Sequence, residues 1–348
     1  MSRIAQLLIV AAVAGCSGSA VIKSGDDTGG GDIITLPGDT TSDGSVSRYE
    51  PEDAASGSGY AQAVEVRDNG DGTTTFLVDN LAFDGAEYSE GTVVSSLGRT
   101  GINAGPFSVY EGPEFEPDFV TGTAIAQLTH RAIYAKSTSG NSEFAIVRTG
   151  SYTGYGFGGF LYSRTGSVTL PATATGTGIS RQASYSGDYA GLIDYNGRSG
   201  LDYVTGTASI AIDFADFDDG AAIYGSISDR RMFDIDGNDI SQDYLDRLNE
   251  ELDYPAGSGY TSLPTLVFDI GPGVLADNGE IEGTLGVDVL TAGGVVQELV
   301  SGKYYGVISG DVTAGTDEVV GVIVVTGDDP GYDGVTMRET GGFIVYRQ

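Results

Sequence analysis

Tyr203-Val-Thr-Gly-Thr-Ala-Ser-Ile-Ala-Ile-Asp-Phe214 decides the fold class. Val204, Gly206, Ala208, Ile210, Ile212 and Phe214 share one parity, while Tyr203, Thr205, Thr207, Ser209 and Asp213 share the other. A repeat of two with one apolar side marks a β-strand with a buried face and a wet face. Outward from it, seven further segments read as strands: 183–192, 221–228, 265–270, 280–289, 295–305, 318–326 and 334–346. Gly, Asp and Asn dominate the joints. Eight successive strands of this kind suit an antiparallel barrel, because closure removes exposed sheet edges. Glycines inside the strands, at 187, 191, 206, 225, 283 and 321, relieve crowding where a small barrel bends. One helix interrupts the series. Ser241 is placed to cap it, Asp243 suits its first turn, Tyr244, Leu245, Leu248 and Leu252 form its apolar stripe, and Pro255 with Gly257 ends it. It reads as an insertion packed on the barrel rim, with partner binding as the sharper alternative.

Before the barrel, residues 58–170 read as a smaller, handle-like β-rich domain, with strands at 60–67, 73–79, 122–135, 142–148 and 156–163. Asp68-Asn-Gly-Asp-Gly72 supplies the positive φ angles of a hairpin turn and matches no calcium-ligand spacing. Leu170-Pro171 and the Ala-Thr-Gly run after it mark the boundary, and the barrel is assigned to 178–348. Val120-Thr-Gly-Thr-Ala124 recurs at 204–208, which is compatible with two related modules. Residues 16–57 are rich in Gly, Ser, Asp and Thr and read as a flexible tether. Some 40 such residues span on the order of 35 Å.

The first 15 residues combine Arg3, a short apolar run and small residues, as a secretory signal does. The apolar run is too short to cross a bilayer. Val-Ala-Gly-Cys16 resembles a bacterial lipobox, in which the cysteine is acylated and becomes the new N-terminus. An ordinary signal peptide with an incidental cysteine is the competing reading. Anchorage in outer-membrane lipid through acylated Cys16 is the expectation, and Ser17 favours the outer membrane over the inner one. Cys16 is the one cysteine of the chain, so no disulfide can form within it.

The formal net charge is −32, and loss of residues 1–15 removes Arg3 and no acid, giving −33. Such a charge disfavours nucleic acid as a partner. His130 is the sole histidine and excludes His-cluster metal sites. It lies within an expected strand, where a neighbour contact is the default and haem ligation the minority reading. Asp234, Asp236, Asn238 and Asp239 suggest a cation loop, but Asp239 stands where an EF-hand wants glycine and Leu245 where it wants an acid. They remain weak candidates, and no metal or other cofactor is expected. The Tyr152–Phe160 cluster reads either as strands with inward aromatics or as an adhesive surface. No catalytic set is recognisable, and an enzyme is not expected.

The barrel half resembles the β-barrel domain of transferrin-binding protein B and related surface lipoproteins. The residues that carry the likeness are, in order, Tyr185-Ser-Gly-Asp-Tyr-Ala-Gly191, Val204-Thr-Gly206 leading to Ile212-Asp-Phe214, and Ile223-Tyr-Gly-Ser-Ile227 with Arg230. Leu263-Pro264, Gly283-Thr284, Gly302-Lys-Tyr-Tyr-Gly306, Glu318-Val-Val-Gly321 and Gly341-Gly-Phe343 follow. They cover about half the chain. Val307 follows Gly306 where the family commonly has proline, and a longer segment precedes Glu318. The resemblance implies a surface-exposed lipoprotein barrel whose variable loops bind an iron carrier, haem or a partner protein. It carries over no binding residue. A structural or adhesion lipoprotein without a small-molecule ligand is the alternative, and a surface glycan-active enzyme is the third reading.

Overall fold

In the computed structural model, which describes residues 34–79, 86–90, 107–113, 115–118, 120–151, 153–171, 182–214, 222–272 and 274–348, the alternating run becomes a strand paired on both sides. Two large antiparallel sheets make up the fold. The first takes β1 (Gly38–Thr40), β2 (Val46–Tyr49), β3 (Ala63–Asp68), β4 (Thr74–Asp79), β5 (Ala86–Glu90) and β6 (Phe107–Glu111). After a separate hairpin, β7 (Phe115–Pro117) and β8 (Ala124–Ala126), it continues with β9 (His130–Lys136), β10 (Ser142–Thr149) and β11 (Gly158–Arg164). Its spatial order is β1-β2-β11-β10-β9-β6-β5-β4-β3. A two-residue strand, β12 (Val168–Thr169), then pairs in parallel with the barrel.

The barrel strands are β13 (Gln182–Asn196), β14 (Leu201–Asp213), β15 (Ala222–Phe233), β16 (Leu266–Pro272), β17 (Glu280–Leu290), β18 (Val296–Asp311), β19 (Glu318–Asp328) and β20 (Thr336–Arg347). The helix α1 (Ser241–Glu251) lies between β15 and β16. Neighbours in sequence pair antiparallel, and β20 returns to β13, closing an eight-stranded barrel.

Its bore is filled. Val204, Ala208, Ile210 and Ile212 of β14, and Phe214 just after it, all belong to the barrel core, as the alternation requires. Phe268 and Tyr304 stack with ring centroids 4.2 Å apart. Tyr304 lies over Gly283, where a Cβ would come within 2.4 Å of it, so an aromatic ring occupies the room that glycine leaves. A buried ion pair shares this interior. A register shift in β14–β15 and the left-handed Asp229 (φ 52°) accompany Arg230, which pairs with buried Glu339. The Tyr189 hydroxyl donates to the other Glu339 oxygen at 2.5 Å. Burial, and then the Glu339 charge, push the Tyr189 pKa well up, so it stays a donor.

The expected wet face of β14 is dry at its N-terminal end. Tyr203 and Leu201 belong to a second core between the barrel wall and the first sheet. In β10, Phe144 and Ile146 face the barrel, while Ala145 and Val147 face a third core within the curl of the first sheet. Both faces of β10 are covered, which its uninterrupted apolar run Phe144–Val147 reflects.

Guanidinium groups lock this seam. Arg148 donates to both carboxylate oxygens of Glu50 at 2.9 and 3.0 Å and to Thr340 of β20 at 2.7 Å. Arg48 meets Glu280 of β17 at 2.7 and 2.8 Å. Arg338 of β20 binds Asp194 and reaches across to the Ser58 hydroxyl and the Ser56 carbonyl. Arg164 donates to the carbonyls of Asn278 and Ile308.

Four expectations need correction. The stretch assigned to a tether folds from residue 34 onward: β1 and β2 join the first sheet, and Leu36, Val46, Arg48 and Glu50 are buried. The single strand expected over 122–135 is split into β8 and β9. The two copies of Val-Thr-Gly-Thr-Ala differ in structure, the first running from a turn into β8 and the second lying mid-strand. Inward placement holds for Phe160 of the aromatic cluster, whereas Phe157 is partly exposed and Tyr155 lies under the Arg338 guanidinium at 4.6 Å. Tyr152 and Cys16 lie outside the described residues.

Removing one partner of a buried ion pair leaves an uncompensated charge, at a cost of about 3–5 kcal/mol. Glu50→Ala is therefore expected to lower the urea unfolding free energy by about that much. The double variant Glu50→Leu/Arg148→Met is expected to cost less than Glu50→Ala alone, which equilibrium unfolding would register.

Candidate functional site: the helix-capped end of the barrel

The helix forms where the apolar stripe predicts, with Tyr244, Leu245 and Leu248 buried. Its start differs from expectation. Ser241 does not cap it. The Ser241 hydroxyl instead accepts from the Met232 amide at 2.9 Å, and Asp239 Oδ1 accepts from the Ser241 amide at 2.9 Å. The end is a Schellman turn: the Asp253 amide donates to Glu250 O at 3.1 Å and the Tyr254 amide to Asn249 O at 2.9 Å. Asp253 takes the left-handed conformation that this turn requires, at φ 61°.

Tyr244, Leu248 and Leu252 enter the barrel core, together with Leu263. The helix therefore stoppers one end of the bore. The loop after it is tied to β17 by two hydroxyls. Tyr254 donates to Leu290 O at 2.9 Å, and Tyr260 accepts from the Leu290 amide at 2.7 Å. Two open clefts flank α1. One, of about 840 Å³, lies between its C-terminal half and residues 253–261. The other, of about 760 Å³, lies between Arg247, Glu250 and Glu251 and residues 328–334.

Carboxylates line both clefts: Asp246, Glu250 and Asp253 in the first, Glu250, Glu251, Asp328, Asp329 and Asp333 in the second. The two arginines nearby are already engaged. Arg198 donates to buried Asp329 at 2.7 Å, and Arg247 donates to the Pro330 carbonyl at 2.9 Å. Their guanidinium carbons lie 5.1 and 5.2 Å from the Tyr332 ring centre, one from each residue. Tyr332 is thus a half-exposed aromatic held by two cations. Sequence reasoning found the helix and missed this group, because Arg198 and Tyr332 come together only through the barrel.

The remaining sequence candidates lie apart. Asp234 turns its carboxylate onto its own loop, accepting from the amides of Asp236 and Asn238 and from the Asn238 side chain at 2.8–3.0 Å. Partial burial raises its pKa, but these hydrogen bonds outweigh it and the net shift is downward. Asp239 pairs with Arg231. Among the described residues no group of three or more His, Cys, Asp or Glu is placed to hold a metal. His130 is buried in β9 with Nδ1 3.2 Å from the Tyr88 hydroxyl.

No family model matches the chain, and no curated protein does. Among solved structures it is similar to intact Ap-TbpB, with its N and C lobes, at 9% identity and a TM-score of 0.29, covering 87% of this chain and 67% of that one. A likeness at that score bears on neither ligand nor partner.

Two measurements follow from the geometry. Asp253→Gly relieves a left-handed non-glycine residue and removes a carboxylate from the negative end of the helix dipole. It is expected to raise stability by about 0.5–1 kcal/mol in chemical denaturation. His130 gives a pH signature. Burial, and then the Arg131 charge, lower its pKa from 6.5. The unfolded chain therefore takes up a proton before the folded one does. The stabilisation is complete above about pH 6.5 and declines as pH falls through the lowered value. His130→Asn should lose less stability than the wild type between about pH 7 and 5, and parallel losses would refute the assignment.

Proposed function

We propose that this chain is a lipid-anchored outer-membrane protein that binds a protein partner at the cell surface, using the helix-capped end of its barrel. The lipobox-like run ending at Cys16 supports the anchor. The observation that carries the binding mode is the filled bore, stoppered by Tyr244, Leu248 and Leu252. A barrel without interior room recognises its partner with its rim and loops. The rim at α1 has two broad clefts and an excess of carboxylates, which suits a basic patch on another protein. Haem fits less well, since His130 is buried beside Tyr88. The reading is of a binding protein, not an enzyme.

Adhesion is the second reading, and the β7–β8 hairpin favours it. Phe115, Val120 and Ile125 are all exposed there, Val120 by 87%.

Mass spectrometry of the mature protein should show a diacylglyceryl group on Cys16, and an unmodified secreted chain would remove the anchor. A photo-crosslinking amino acid at Ser258 or Tyr332 should capture one specific protein on intact cells. The same probe at Tyr224, near the other end of β15, should not. Capture only from Val120 would support the adhesion reading instead, and capture from none of these positions would overturn the binding reading.

A further inference from the structure

The first sheet ends on β3, and among the described residues no strand lies beyond it. Natural edges are usually kept short or given side chains that repel a second strand. β3 is six residues long, and its two mid-strand charges, Glu65 and Arg67, are opposite in sign and share one face. Val64 and Val66 lie on the other face, half-buried against the third core.

Backbone parity is settled by the turn. The Asn69 amide donates to Thr73 O at 3.1 Å, in register with Arg67 opposite Thr75. Residues 63, 65 and 67 therefore direct their backbone groups to β4, and Val64, Val66 and Asp68 direct theirs outward. Arg67 is paired with Glu87 at 3.1 Å, but both side chains are about half exposed. An exposed pair of that kind contributes little, so Arg67 is free to exchange it.

We infer that β3 is a self-complementary edge through which two copies of this chain associate, antiparallel, about a two-fold axis at Val66. With Val66 opposite its counterpart, Val64 faces Asp68 of the second copy. These pairs use the outward groups, so each exchanges backbone hydrogen bonds. Glu65 then falls opposite Arg67 of the second copy, and Arg67 opposite its Glu65. Those are the non-hydrogen-bonded positions, where facing side chains are closest. Recentring the pairing on residue 65 sets glutamate against glutamate, and recentring on 67 sets arginine against arginine. A slip of half that step matches outward groups with inward ones. Only one register satisfies both charge and backbone, and the interface is isologous, as a two-fold dimer requires.

Each copy carries a net charge of −32, so association calls for enough salt to screen long-range repulsion. Sedimentation of the full chain in mild detergent at near-physiological ionic strength tests the inference. The wild type should show a monomer–dimer equilibrium. Glu65→Arg alone and Arg67→Glu alone should each weaken the dimer about tenfold, since each sets like charges opposite one another twice. The double variant Glu65→Arg/Arg67→Glu should restore it. Val66→Pro, which removes the central donor, should abolish it while the monomer, less stable for the lost packing of Val66, remains folded. If that variant does not fold, the charge-swap set on exposed side chains decides. A wild type that stays monomeric, a dimer indifferent to the single reversals, a double variant that fails to recover, or a dimer that survives Val66→Pro in folded protein would each overturn the inference.

Discussion

Placing the first sheet on the barrel depends on burying arginine. An apolar contact between two sheets is non-directional and leaves their relative placement loosely defined. A guanidinium removed from water cannot remain loose, because each donor needs an acceptor in a fixed direction. Arg148 and Arg48 reach from the first sheet to Thr340 and Glu280 of the barrel, and Arg338 reaches back to Ser58. Arg164 adds two barrel carbonyls. With these four groups in place, one register of sheet against barrel satisfies every charge. A shift of one residue would strand several of them. Hydrophobic burial supplies the bulk of the attraction, and the arginines make the arrangement specific.

That division of labour explains how much of the fold was legible. The closed barrel was readable because period two along β14 and β17 reports the inner wall directly. Tyr203 shows the limit. It has the parity of Thr205 and Thr207, so local pattern assigns it to water, and only the presence of the first sheet makes that position dry. The covered strands did carry a signal. Phe144–Val147 and Val319–Val325 are apolar on both parities, which marks strands covered on both faces. What covers them was not in those residues, since nothing local names a partner hundreds of positions away.

The segment from 34 to 57 failed for a different reason. Its average composition is that of a linker, yet Leu36 and Val46 tie it into the core between sheet and barrel, and Arg48 and Glu50 tie it into the seam. Composition counts residues, while the fold used four of them in particular. The helix-capped end was half legible by the same logic. The stripe of α1 is local and was found. The Arg198–Tyr332–Arg247 group is assembled from three separate loops and helices, and no spacing in the sequence joins them.

Burying arginine also shapes the exterior. The chain has 17 Lys and Arg against 49 Asp and Glu. Arg48, Arg148, Arg164, Arg230 and Arg338 are each less than a tenth exposed, four of them facing buried carboxylates. Internal neutralisation uses a large share of the basic side chains while leaving most acids outside. The surface is consequently more one-sided than the ratio of the two classes suggests. On such a surface an exposed cation is a local feature in a field of the opposite sign. Arg67, on the strand that ends the first sheet among the described residues, is one of these, and that setting favours a carboxylate from a second chain over any cationic partner.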